Sequence, residues 1–347
     1  LVVATGSPAL AVEPAALQTQ DDAELLANVF ETLLITDDDG HVLPGLAERW
    51  EPRDGGRAYL FTLRAGVRFH DGHLLRADDV AASLERLAHL RSAALPPAVA
   101  AIEGIRELVD GEAARLRGLR VLDDHHLEVR LTRPLAIYPA LVAATIAAIC
   151  RTSDADAASG RMAHGTGPFR LAHSGARSTV IERFDDHWRG QPAYLDAIEF
   201  RFVEDAAAMA QGLRARDLDV IRAHSPEDVE GEGGPATGGC RAYEGPVKLT
   251  YFALFNAVGG PLCRHHEVRL ALSRVVPVQE LVWQILGRFA APASGLIPPG
   301  ILGYDPGRRR ARLGVDDARA LLVSAGVAPG ARLRVLVFPV IVERFRA

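Results

Sequence analysis

Tyr59-Leu60-Phe61-Thr62-Leu63-Arg64-Ala65-Gly66-Val67-Arg68-Phe69-His70-Asp71-Gly72 is followed shortly by Ala77-Asp78-Asp79-Val80 and Ser83-Leu84-Glu85-Arg86. Tyr59, Phe61 and Leu63 alternate with Leu60, Thr62 and Arg64, the period of a half-buried strand. Asp71-Gly72 is a turn pair, because both residues tolerate tight-turn dihedrals. Asp78-Asp79 then puts acidic side chains at the positive end of a helix whose Val80, Leu84 and Leu87 face inward. Strand, turn and helix therefore follow one another within a short span.

Working outward, residues 127–132 alternate in the same way, and Ile198, Phe200 and Phe202 repeat the pattern. Upstream, residues 1–5 read as a short buried strand broken by Gly6-Ser7-Pro8. Residues 23–34 have helical apolar spacing through Leu25, Leu26, Val29, Phe30 and Leu33, with Asp21 or Asp22 as cap. Asp37-Asp38-Asp39-Gly40 is a turn. Downstream, residues 230–239 are a Gly-rich linker, and residues 248–256 and 333–338 are predicted strands. Residues 268–286 and 315–325 are predicted helices, the second stopped by Gly326. Mixed strands and helices over 347 residues, at about 150 residues per domain, predict an α/β or α+β protein of two lobes.

Composition narrows the class. Hydrophobic residues make up 48% and charged residues 24%, which excludes a disordered, collagen-like or polytopic membrane chain. The net charge of −5 carries no basic excess, so no nucleic-acid partner is expected. Pro134 to Cys150 is uncharged and reaches the lower edge of a spanning length, but Pro139 and the many alanines favour a buried helix and strand. The three cysteines, Cys150, Cys240 and Cys263, are too few for a disulfide scaffold. A Cys240–Cys263 bridge and three buried thiols both remain open at this level.

Several motifs could carry chemistry. His70, Asp71 and His73 supply metal-binding side chains, yet Asp71-Gly72 reads as a solvated turn. The pairs His125-His126 and His265-His266 point to opposite faces if extended, and chelate poorly. Gly165-Thr166-Gly167-Pro168-Phe169 lacks the third glycine of a dinucleotide loop, and Pro168 removes an amide; a tight backbone crossover explains it. Neither a Gly-x-Ser-x-Gly nor a His-Glu-x-x-His motif occurs. Many acids and hydroxyls leave a dispersed catalytic site open at this level, though no residue pattern nominates one.

The order of the pieces says more than any one of them. Pro44-Gly45-Leu46-Ala47-Glu48-Arg49-Trp50-Glu51 precedes the opening stretch, and Gly165-Thr166-Gly167-Pro168-Phe169 follows it. Then come His187-Trp188-Arg189-Gly190-Gln191-Pro192 with Leu195-Asp196, Leu218-Asp219-Val220, Phe255-Asn256, Val268-Arg269 with Ala271-Leu272, and the helix from Ala318 to Gly326. This series resembles the family 5 extracellular solute-binding proteins of ABC importers, the dipeptide, oligopeptide and nickel binders. There are departures. Glu13-Pro14 stands where the family has Asp-Pro, Phe30-Glu31 where it has Tyr-Glu, and Arg216 where it has glycine. Pro277 falls in a helix and is expected to break it.

The resemblance implies an α/β, two-lobed, periplasmic-binding-protein-like fold (class II, Venus-flytrap) with an incomplete second lobe, since family members continue further. The expected division is a first lobe over 1–240, with an inserted subdomain at about 37–155, and a partial second lobe over 241–347. It implies capture of a peptide between lobes and delivery to ABC permease subunits, by a protein that is not an enzyme and holds no metal or other cofactor. It also implies a monomer in the periplasm or another extracytoplasmic compartment, with a lipid anchor as one form of attachment. A nickel or metal-chelate ligand, and a ligand-sensing module of a larger regulatory protein, are the alternatives. By position, Ser7, Phe30, Glu31, Thr166 and Asn256 are the candidate ligand-binding residues. Each has a structural alternative: the Gly6-Ser7-Pro8 segment as a turn in which Gly6 only serves the bend, Phe30 as core, Glu31 as surface charge, Thr166 as brace of a crossover, Asn256 as strand cap.

Overall fold

The computed structural model describes residues 1–337 except 9, 153–163, 223–239, 242, 244–249, 288, 289, 300 and 302. The chain divides into two compact units, Leu1–Arg222 and Ala223–Ala347. The expected linker at 230–239 lies outside the described residues.

In the first unit, β1 (Val2–Thr5) leads to α1 (Gln20–Val29). Thr19 caps this helix: its hydroxyl accepts the Asp22 N–H at 3.1 Å, and the Asp22 carboxylate accepts the Thr19 N–H at 2.8 Å. The cap is therefore Thr19, and Asp22 is its reciprocal partner, not the cap. The helix also ends earlier than its apolar spacing suggests. Phe30 is extended, and Leu34 has already entered β2 (Leu34–Thr36). β-Branched Thr32, Ile35 and Thr36 favour that extension. β2 pairs with β3 (Val42–Pro44) across the Asp37–Gly40 turn, where Gly40 has φ 85°.

β4 (Ala47–Arg53), β5 (Ala58–Leu63), β6 (Leu119–Asp123) and β7 (His126–Arg130) form an antiparallel sheet in the order β4-β5-β7-β6. β5 is an inner strand, and Ala58 and Thr62 are buried as well as Tyr59, Phe61 and Leu63, while Leu60 is half-buried. The half-buried strand of the sequence is thus largely buried on both faces. Between β5 and β6 lies α2 (Ala77–Leu90), whose buried Val80, Leu84 and Leu87 join Phe61, Phe69, Leu127 and Val129 in one core. That core also takes in Tyr138 on the short helix Tyr138–Leu141 and Ile149. The uncharged segment 134–150 therefore contributes to this core. Among the described residues no helix is long and apolar enough to cross a membrane.

A second sheet has the order β1-β10-β9-β8, with β8 (Phe169–Ser174), β9 (Ser178–Arg183) and β10 (Ala197–Phe202). β1 runs parallel to β10, while β10–β9 and β9–β8 are antiparallel. Its core gathers Val3, Leu25, Leu26, Val29, Phe30, Phe169, Ile181 and Phe200. The helix Ala206–Ala215 follows, and Val220 then bridges Val3 on the open edge of β1.

The second unit contains the helices His266–Val275, Val278–Leu286 and Val315–Ser324. Pro277 separates the first two, as expected. Gly326 follows the third at φ 72°. Residues 250–256 and 331–337 form no strand, which corrects the two strands predicted there. A strand exists only where a neighbour completes its ladder, and no such neighbour occurs among the described residues of this unit. All three cysteines are free; Cys150 and Cys263 are buried and Cys240 is half-buried.

Candidate functional site

The end of α1 and the crossover 165–167 meet so closely that only glycine fits. A Cβ on Gly165 would lie 2.0 Å from the Val29 carbonyl oxygen, and one on Gly167 would lie 2.5 Å from that of Asn28. The Gly167 N–H donates to the Val29 carbonyl at 3.0 Å. The crossover read from sequence is thus present, and its glycines serve close approach.

Glu31 gathers partners from far along the chain. Its carboxylate accepts the Thr166 hydroxyl at 2.9 Å and the Trp188 indole N–H at 2.7 Å, and lies 3.3 Å from His187 Nε2. Its carbonyl accepts the Ile149 N–H at 2.8 Å. Thr166 is fully buried and the Glu31 side chain is only 14% exposed. Arg64 and Arg189 each place a guanidinium 4.9 Å from the Trp188 ring centre. This half-buried carboxylate is met by several donors and ties the end of α1 to two separate segments, 165–167 and 187–188.

His70 fastens the same crossover from the opposite partner. Its Nδ1 accepts the Gly165 N–H at 3.3 Å, and its Nε2 lies 3.0 Å from the Gly167 carbonyl. Its own N–H donates to the Gly165 carbonyl at 2.9 Å. One acceptor and one donor on the ring define a neutral imidazole. Burial pushes its pKa down to about 4. Asp71 pairs with Arg151, and His73 Nε2 lies 3.5 Å from Asp79. His70, Asp71 and His73 are therefore engaged with protein groups as a structured turn. Asp37, Asp39 and His41 lie close together, but Asp37 accepts the N–H groups of both others and so closes the β2–β3 turn.

The remaining candidates stand apart. Phe30 is 3% exposed within the core of the β1 sheet. Ser7 follows β1 at its carboxyl end; its N–H, like that of Gly6, donates to Asp21, which also pairs with Arg222. No hydrogen bond of the Ser7 hydroxyl occurs among the described residues. Asn256 belongs to the second unit, where its side-chain oxygen accepts the Val258 and Gly259 N–H groups at 3.2 and 2.8 Å. The structure thus brings Phe30, Glu31 and Thr166 together, and describes Ser7 and Asn256 separately from them. Sequence reasoning did not foresee His187 and Trp188 as partners of Glu31. The signal was an acid just beyond an apolar helix face together with an aromatic motif bearing N–H donors.

The mixed sheets and the two units give the fold class of two-lobed periplasmic binding proteins. The solved structure of the Escherichia coli murein tripeptide binding protein MppA superposes with a TM-score of 0.74 at 24% identity, covering 95% of this chain and 67% of that one. Residues 41–343 match the family described as bacterial extracellular solute-binding proteins, family 5, middle, and the chain belongs to that family. The dipeptide-binding protein of Escherichia coli strain K12 is 28% identical over 316 residues, covering 86% of this chain and 58% of the relative. Di/tripeptide-binding protein 1 of Pseudomonas aeruginosa strain UCBPP-PA14 is 29% identical, covering 96% and 64%. The chain therefore spans less than two thirds of the length of these relatives. They are binding proteins and not enzymes, which bears out the non-enzyme expectation at the level of the family.

Proposed function

We propose that this chain is the solute-capturing component of an ABC importer, that its ligand is a peptide, and that it delivers the peptide to permease subunits from an extracytoplasmic compartment as a monomer. The observation that carries this reading is the family match over residues 41–343, joined to relatives whose names specify di- and tripeptides. Ser7 supports it from the structure, because ligands of open α/β sheets gather outside the carboxyl ends of strands, where its hydroxyl is available. Glu31 and Thr166 act one step behind: their hydrogen bond ties the end of α1 to the crossover 165–167 within the first unit, so a ligand meets a preorganised wall. Capture needs no covalent step, only a ligand that binds one of two lobe arrangements better than the other.

A thermal-unfolding screen against di- to pentapeptides, nickel, haem and sugars tests the proposal. A ligand at about 100 times its dissociation constant adds roughly 2.7 kcal/mol to the native state. A shift with peptides alone is expected. A shift with nickel alone moves the assignment to a chelate binder, and a cooperative melt that no peptide moves refutes peptide capture by this chain.

A further inference from the structure

The first unit has two large apolar cores, one on the β4-β5-β7-β6 sheet and one on the β1 sheet, beside a small third cluster of Ala4, Met209 and Leu218. The turn between β5 and α2 comes from the first, through fully buried Phe69, and the crossover 165–167 sits against α1 of the second. His70 joins them with three hydrogen bonds, two through its ring and one through its N–H. We propose that His70 is an acid-released latch, which in its neutral form ties the inserted β4–β7 subdomain to the crossover and on protonation lets go.

The chemistry follows from the ring. A proton taken from water at Nδ1 removes the acceptor of the Gly165 N–H and turns two donors toward each other. Among the described residues the surroundings of the ring do little to stabilise the imidazolium. Phe184 meets the ring edge-on at 5.0 Å between centres. From the segment before β8, His164 opposes the added charge, as does Arg170 on β8 itself. Glu31, at the end of α1, favours it, but its carboxylate is engaged by Thr166, Trp188 and His187. On the latch's own turn Asp71 is paired with Arg151 and His73 with Asp79. The depressed pKa agrees with this geometry: the free ring takes up its proton near 6.5 and the latched ring only near 4. Latching is therefore strongest above pH 6.5 and is lost as pH falls toward 4.

Hydrogen exchange of the 164–167 amides, measured from pH 7.5 to 4 and corrected for intrinsic exchange, reads the latch. Opening of this segment is expected to rise about tenfold per pH unit between 6 and 4.5, while the β5 and β7 amides keep their protection. His70→Gln should flatten the profile. Should that variant fail to fold, imidazole NMR of the unaltered protein decides: the neutral Nε2–H tautomer is expected at pH 7. Exchange that does not change with pH, a loss shared equally by β5 and β7, an unchanged slope in His70→Gln, or an Nδ1–H tautomer would each overturn the latch.

Discussion

Replacing Gly165 by alanine probes the point where the two halves of the candidate site touch. The new methyl would stand 2.0 Å from the Val29 carbonyl oxygen, 2.8 Å from its carbon and 2.9 Å from Phe30 Cδ1. Carbon needs about 3.5 Å to a non-bonded neighbour, so the crossover or the helix end must retreat by more than about 1 Å. The Val29 oxygen cannot move freely, because it accepts the Gly167 N–H at 3.0 Å. Losing that bond costs about 1 kcal/mol. Overpacking beside buried Phe30 costs roughly 1–3 kcal/mol more. A total near 3 kcal/mol lowers the melting temperature of a unit this size by about 6–12 °C. Gly6→Ala is the control: its nearest neighbour would be Asp21 Oδ2 at 3.9 Å, and the change should stay within about 0.5 kcal/mol. Circular dichroism melts of both variants read the difference. A Gly165→Ala protein that melts with the parent would refute the close approach of crossover and helix.

Three further outcomes are expected. Glu31→Ala strands the Thr166 hydroxyl and the Trp188 indole N–H and should cost about 3 kcal/mol in urea denaturation; Glu31→Gln, which keeps an acceptor, should cost less. Arg216→Gly should stabilise by about 1 kcal/mol, since Arg216 ends its helix at φ 64°, a left-handed conformation that glycine adopts without strain; chemical denaturation checks the sign. For Asp22, burial opposes ionisation, but N–H groups of Ala11, Thr19 and Gln18 and the Thr19 hydroxyl outweigh it and hold the pKa below the usual carboxylate value. Its contribution is present above about pH 4 and is lost as pH falls through the depressed pKa, so Asp22→Asn should flatten the acid limb of a stability–pH curve.

Local patterns carried much of this fold. Tyr59, Phe61 and Leu63 mark a strand, Asp78-Asp79 a helix start, and Pro277 a break, because each depends on neighbours in the chain. What depends on distant neighbours was not legible. β4 and β7 pair with both edges of β5, and Ala58 and Thr62 are buried on the face opposite Tyr59, Phe61 and Leu63, neither of which alternation can report. Residues 250–256 carry β-forming side chains yet pair with no described strand. The candidate site shows the same division. Gly165 and Gly167 announce a close approach, but the clamp on Glu31 joins residues 135 and 157 positions away. Thr19 was overlooked as a cap because the apolar periodicity starts later than the helix itself.

The central claim is peptide capture, and isothermal titration of the purified chain with dialanine and trialanine tests it most directly. The account expects saturable binding at one site, with no comparable heat from nickel chelates or sugars. Peptide heats that stay at the dilution level up to millimolar concentration, from a chain that still melts cooperatively, would contradict it.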